Sequence, residues 1–183
     1  MKDQKNPGLE LIFARRSIRI FSPGTINAQS VSCLLEAAAA APSAMTKDPW
    51  RFVVTRQTAS LQQLAEALPG GKMLSTAAMA IVVCGDLNAA LDRQLSYLLQ
   101  DCSAATQNLL LAATALNLGA CWVGVHPNEN CIRKVRQLLG LPADIIPMAV
   151  VALGLPGEQP PPRTRLNPAH VHNEKWQERF ENS

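Results

Sequence analysis

Aromatic side chains are scarce in this chain, 4% of 183 residues, although 48% of the residues are hydrophobic. A core with so few rings has to be built from alanine, leucine and valine, whose small volumes let helices pack closely. Charge is also thin: 17% of residues are charged and the formal net charge is +3. That composition excludes a disordered tail and gives no electrostatic reason to expect a nucleic-acid or membrane surface. The five cysteines, Cys33, Cys84, Cys102, Cys121 and Cys131, contain no CxxC pair. Odd in number and set in apolar or helical contexts, they read as reduced, buried thiols. A catalytic thiol is the sharper alternative.

Several motifs are missing as well. There is no GxGxxG for a Rossmann nicotinamide site, no GxxxxGK[ST] for a P-loop and no GxSxG for a hydrolase. His126, His170 and His172 have no cysteine or carboxylate at metal-ligand spacing. No apolar run reaches the roughly 18 residues of a membrane helix. The start, MKDQKNPGLE, has no apolar signal-peptide region. The expectation is a cytoplasmic protein with no nucleic-acid or membrane partner and no bound metal.

What is present is a regular alternation of element types. Leu9, Ile12 and Phe13 stand at helical spacing over 8–14. Asn27 is placed to cap a helix over 28–41, ended by Pro42. The runs 51–55, 80–85, 120–125 and 146–153 read as strands; 60–68 and 129–139 read as helices. AIVVCG at 80–85 has the apolar character of a strand buried on both faces. Residues 102–118, CSAATQNLLLAATALNL, lack a polar face, which predicts a helix buried all round with help from a second subunit, ended by Gly119. From Pro156 the composition turns to proline, arginine and polar residues with Trp176 and Phe180. This stretch, 156–183, predicts a stiffened arm lying over a partner. The pattern is α/β or α+β, one domain over 1–183 with one central sheet.

Four features could carry chemistry. Arg15, Ser17 and Arg19 alternate, with Arg16 between them. In an extended segment alternate side chains share a face, and two planar guanidiniums flanking a hydroxyl suit a phosphate; the bland alternative is a solvated basic helix end. Pro42, Ser43, Ala44, Met45 and Thr46 form a loop of small residues before Asp48-Pro49-Trp50, open enough for a flat ring to approach the backbone or merely a connection. Gly119-Ala120-Cys121-Trp122-Val123-Gly124 is a short strand with glycines at both ends. A free N–H near Val123 or Gly124 could donate to a heteroaromatic ring, the alternative being an ordinary strand. Arg163 and Arg165 repeat the alternating pair after three prolines and could close on the same phosphate, or be a solvated tail.

Taken in order, RRSIR, APSA followed by PW, GACWVG after a long apolar helix, and PPPRTRL resemble the nitroreductase family of flavin enzymes over about residues 9–178. The resemblance implies an α+β nitroreductase-like fold, a central mixed sheet flanked by helices, and an intertwined homodimer with two FMN sites at its interface. It implies that Arg15, Arg16, Ser17 and Arg19 hold the phosphate and ribityl chain, with Arg163 and Arg165 closing on the phosphate. It places Pro42–Thr46 against the flavin of the partner subunit, Trp122, Val123 and Gly124 at the ring edge near N5, and Lys72 near the pyrimidine. The implied reaction is ping-pong hydride transfer from NADH or NADPH, through the flavin, to a nitroaromatic, quinone or similar small acceptor. No catalytic side chain is assigned, since the flavin carries the hydride. The family pattern PSAxNxQPW has amide residues where this chain has Thr46 and Asp48. Those departures keep one rival open, a flavin-binding protein without turnover; the resemblance itself leaves a second, a different flavin reaction on the same fold such as dehalogenation or flavin fragmentation.

Overall fold

The computed structural model describes residues 6–161 and 165–179. In chain order its elements are α1 (Pro7–Ala14), β1 (Phe21–Ser22), α2 (Ala28–Ala39), β2 (Trp50–Thr55), α3 (Thr58–Ala67), β3 (Met79–Asp86), α4 (Leu95–Ala115), β4 (Gly119–Gly124), α5 (Glu129–Leu139) and β5 (Ile145–Pro156). Every strand expected from the sequence is present. β1, too short to show a period, was not legible.

β5 is the organising strand. β3 pairs with it over Met79–Asp86, β4 pairs with residues 149–154, and β1 continues on residues 155–156. β2 pairs with β3, so the order is β1-β5-β3-β2 with β4 also on β5. All four ladders are antiparallel. The mixed character expected of the sheet rests on one parallel bridge, Ser17 to Ala120.

The strands alternate between two apolar layers. Ile81, Val83, Ala149 and Val151 face α2 and α4, in one cluster with Leu34, Leu98 and Leu109. Ala80, Val82, Val150 and Ala152 face α3 and α5, with Leu61, Leu64, Ile132 and Val135. Period-two exposure of both faces to helices explains the uninterrupted apolar run of β3. At roughly 25 cal/mol per Å² of apolar surface removed from water, this double burial is the main stabilising term.

Helix ends follow local chemistry. Asn27 Oδ1 accepts from Ser30 N at 2.8 Å, and Asn128 Oδ1 from Asn130 N and Cys131 N, both at 3.1 Å. Gly140 closes α5 in the left-handed region at φ 63°. α4 ends differently from expectation. Asn117, at φ 56°, takes the left-handed position and Leu118 N bonds back to Ala113 O at 2.8 Å. Gly119 is already in β4, where a Cβ would lie 2.8 Å from Ile18 Cγ2. It is small because the Arg15–Arg19 segment crosses there, not because a helix ends.

α4 is also not buried all round within one chain. Leu98, Cys102, Ala105, Leu109 and Ala113 are fully buried, but Ala104, Leu111 and Ala112 are half-buried and Gln107 is exposed. Its hydroxyls bond back onto the helix, Ser103 to Leu99 O at 2.6 Å and Thr106 to Cys102 O at 2.7 Å, which hides their polarity. No helix among the described residues is long and apolar enough to cross a membrane.

Candidate functional site

The Arg15–Arg19 segment runs extended along the outer edge of β4, with Ile18 N donating to Ala120 O at 2.9 Å. Extended backbone sends Ile18 into the core, 8% exposed, and Arg19 outward. Glu158, just past β5, then fastens the segment: its Oε1 accepts from Arg19 N at 2.5 Å and Ile20 N at 3.0 Å. Gly157 N donates to Ile20 O at 2.8 Å. Three hydrogen bonds and the β1–β5 ladder thus hold the first basic cluster against Gly157 and Glu158, with Glu158 139 positions from Arg19 in sequence.

Arg19 lines a cleft of about 430 Å³ with Trp122, Val123 and Gly124 of β4, Gly70 and Met73 from the α3–β3 connection, and His126. Lys72 is exposed at the head of the 3-10 turn Lys72–Thr76, next to Met73. Cys121 also lines this cleft. Its thiol is raised by burial, against the opposing field of Arg19 and Arg15 and with that of Glu158. Both guanidiniums therefore act on the same end of β4. Arg165 is exposed, and Arg163 lies outside the described residues. Arg16 takes the opposite face from its neighbours. It lines a separate cleft with Ile18, Asn117 and Gln159, and its Nε is buried without a partner.

The register of β4 identifies its free donor. Backbone groups of successive strand residues point to opposite edges. Ala120 O faces outward to Ile18, so Trp122 and Gly124 face outward too, while Val125 N turns inward to Met148 O at 3.1 Å. Of the two donors considered from the sequence, Gly124 presents its N–H to the open edge. Gly124 is exposed, and a Cβ there would meet nothing within 4 Å. Val123 is buried and faces β5.

The Pro42–Thr46 loop is elsewhere. It joins α2 to β2, and β5 and β3 stand between β2 and β4, three strand spacings or about 14 Å. Asp101 of α4 holds it, accepting from Ala44 N at 2.9 Å. Ser43 Oγ accepts from Asp48 N at 3.0 Å and donates to Asp48 Oδ1 at 2.5 Å. The Asp48 carboxylate, one of the two departures from the family pattern, is thus engaged inside the loop. Met45, Thr46 and Asp48 have φ of 49°, 55° and 47°. Left-handed backbone at a β-branched residue such as Thr46 is costly, and such strain collects at binding loops. Met45 is 77% exposed. The structure therefore gathers Arg15, Ser17, Arg19, Trp122, Val123 and Gly124 at one end of the sheet and Pro42–Thr46 at another.

Sequence reasoning missed Asp101 and Glu158. Asp101 had a signal, being the only charge in the 21-residue helix α4. Glu158 had none, because its partners are backbone groups distant in sequence. The cysteines are free thiols, and burial pushes Cys84 and Cys102 up to about 12, so neither is a nucleophile at neutral pH.

Backbone N–H bonds from Arg19 and Ile20 hold the Glu158 carboxyl below its ordinary 4.5. A depressed carboxylate stabilises the fold above its unfolded value and ceases to do so as pH falls through its folded value. Wild type is therefore expected to exceed Glu158→Ala in thermal midpoint at pH 7. The gap should close as pH drops below about 4.5. A constant gap from pH 7 to pH 3 would rule this out.

A cleft with the Arg19 guanidinium at one side, an outward N–H and apolar walls is suited to a flat, anionic heteroaromatic group. The family model described as the nitroreductase family matches residues 12–72 and 68–155. A protein of Archaeoglobus fulgidus, provisionally assigned as an NADH dehydrogenase/NAD(P)H nitroreductase, is 42% identical over 92% of this chain and 98% of its own. A solved structure from Parabacteroides distasonis with the same provisional assignment is 37% identical, with a TM-score of 0.89 over 94% of this chain and all of that one. A provisional nitroreductase of Desulfovibrio desulfuricans, solved in complex with FMN, is 32% identical, with a TM-score of 0.82 over 94% of this chain and 99% of that one. The chain belongs to the nitroreductase family.

Proposed function

We propose that this protein is an FMN-dependent oxidoreductase, a homodimer that takes hydride from NADH or NADPH and delivers it to a small electron-poor acceptor such as a nitroaromatic or quinone. The observation that carries the reading is the cleft itself: Arg19 and the free N–H of Gly124 face one space with Met73 and Trp122. This donor set fits FMN. Arg15, Ser17 and Arg19, with Arg163 and Arg165, would hold the phosphate by charge-assisted hydrogen bonds. Arg16, which lines its own cleft on the opposite face, stands apart from that set, and Lys72 would serve the pyrimidine edge. When bound, FMN supplies a two-electron carrier that accepts hydride from one substrate and donates it to the next. The chain's part is to bind, to orient and to aim the Gly124 N–H at the ring edge. A preorganised donor of that kind is worth about 3 kcal/mol when negative charge develops beside it.

Two observations support the dimer. The cleft lacks the Pro42–Thr46 loop of its own chain, so a two-fold arrangement that lends each cleft the other subunit's loop would complete both sites. One chain also leaves apolar surface open. Leu9, Ile12 and Phe13 of α1 are 51%, 50% and 57% exposed, an amount of apolar surface characteristic of a contact face. In this reading the whole of 1–183 is one domain. Residues 156–183 cross to the partner, whose surface covers Trp176, 79% exposed in the single chain with its ring tilted against that of His172 at 4.2 Å. The protein acts in the cytoplasm.

Purified protein is expected to show a flavin spectrum that bleaches on adding NADH or NADPH under nitrogen and returns with an acceptor. Persistence of the flavin with both donors would instead identify a binding protein. A chain that stays colourless after incubation with FMN would end the reading.

A further inference from the structure

Asp101 is the least expected side chain in α4. It is 5% exposed, in a helix otherwise uncharged, and no cation among the described residues pairs with it. Oδ1 accepts from Ala44 N, and Oδ2 is buried with no hydrogen-bond partner. A buried carboxylate with one oxygen unpaired is destabilising, and an apolar residue of similar size would cost the fold less. Nothing in the packing of α4 against the sheet uses the charge. Its one described contact of consequence is with the loop, and that loop is strained, with left-handed backbone at Met45, Thr46 and Asp48.

We propose that Asp101 is a positioning residue for the flavin-facing loop, holding Ser43–Thr46 from inside the fold with Met45 and Thr46 in the left-handed region, so that the loop is shaped before flavin binds. The inference rests on the reading that this loop faces FMN. Two ties act on the loop: Ser43 with Asp48 closes it on itself, and Asp101 fixes it to α4. Without Asp101 the Ala44 N–H has no partner on α4, and the strained conformers relax to the ordinary helical or extended regions. The ordering cost then falls on flavin binding, which weakens affinity without any flavin contact being removed.

Fold stability and loop order should therefore move in opposite directions. Asp101→Leu removes an uncompensated charge and the Ala44 acceptor together. The flavin-free variant is expected to keep or raise the thermal midpoint of wild type. Its Ala44 amide should exchange with deuterium at least about tenfold faster, and its FMN dissociation constant should rise about tenfold, as loss of one hydrogen bond to a charged group implies. Asp101→Asn keeps an oxygen for Ala44 N and is expected to restore slow exchange and affinity to within a few-fold of wild type. Unchanged exchange at Ala44 in Asp101→Leu would overturn the proposal. So would a parallel fall in thermal midpoint and affinity with no rescue by Asn, the mark of a merely structural residue. The exchange measurement needs no flavin. If wild type fails to bind FMN while Ala44 responds as described, the functional reading fails and the clamp on the loop stands.

Discussion

A dimer carrying Arg19→Ala in one subunit and Ala44→Pro in the other should hold about half the wild-type complement of FMN, although each variant alone as a homodimer holds little. Arg19→Ala removes a guanidinium from the cleft. Loss of a hydrogen bond to a charged phosphate costs about 1.5–3 kcal/mol, a factor of roughly 10 to 100 in affinity. Ala44→Pro removes the N–H that Asp101 accepts, and leaves the cleft of its own chain untouched because β5 and β3 stand between. If each site takes its cleft from one subunit and its loop from the other, the hybrid contains one doubly damaged site and one intact site. Co-expression with two different affinity tags, purification through both, and flavin content per dimer at a concentration near the wild-type dissociation constant provide the readout. A hybrid as empty as the parents would show that cleft and loop do not share a site across the interface. A monomeric protein by light scattering would remove the premise.

Gly85→Val is expected to cost about 3 kcal/mol of folding stability, at the upper end for an overpacked core. Gly85 sits in β3 directly under α4. A Cβ built there would lie 2.3 Å from Leu98 Cδ2 and 2.4 Å from its Cγ. Leu98 is fully buried, and its Cγ cannot swing aside as a side-chain tip could. Either α4 lifts from the sheet or Leu98 leaves its rotamer, and both disturb the layer that includes Cys102 and Leu109. Gly70, by contrast, has nothing within 4 Å of its missing Cβ. Gly70→Ala should change stability by less than about 0.5 kcal/mol. Urea midpoints of the two variants give the comparison, and equal midpoints would mean that β3 and α4 are not packed as described.

The mutation at Gly85 also illustrates where sequence reading stops. AIVVCG announces a buried strand through its apolar run, but not that its terminal glycine is required by one leucine of a helix that follows in the chain. The same holds at Gly119: its position after an apolar helix suggests a helix terminator, and only the crossing of Ile18 explains why no side chain fits. Asn117 does the terminating, with a left-handed φ of 56°. Local capping was legible where cap and helix are adjacent, as at Asn27.

The sequence by itself determined the elements other than β1, the apolar faces other than that of α4, and the residue types of the candidate site, because periodicity, capping and alternation of Arg15, Ser17 and Arg19 act over a few residues. The ordered motifs also identified the family. What only the tertiary structure decided are relations between distant segments. Strand register turns the Gly124 N–H, rather than that of Val123, to the open edge. Glu158 ties the Arg19 backbone to the chain just past β5. The sheet order separates the Pro42–Thr46 loop from the cleft of its own chain. Asp101 becomes a loop clamp because α4 happens to bring it under Ala44. Such contacts are made by backbone groups and by burial, which carry no residue signature, so they exist only once the chain has closed on itself.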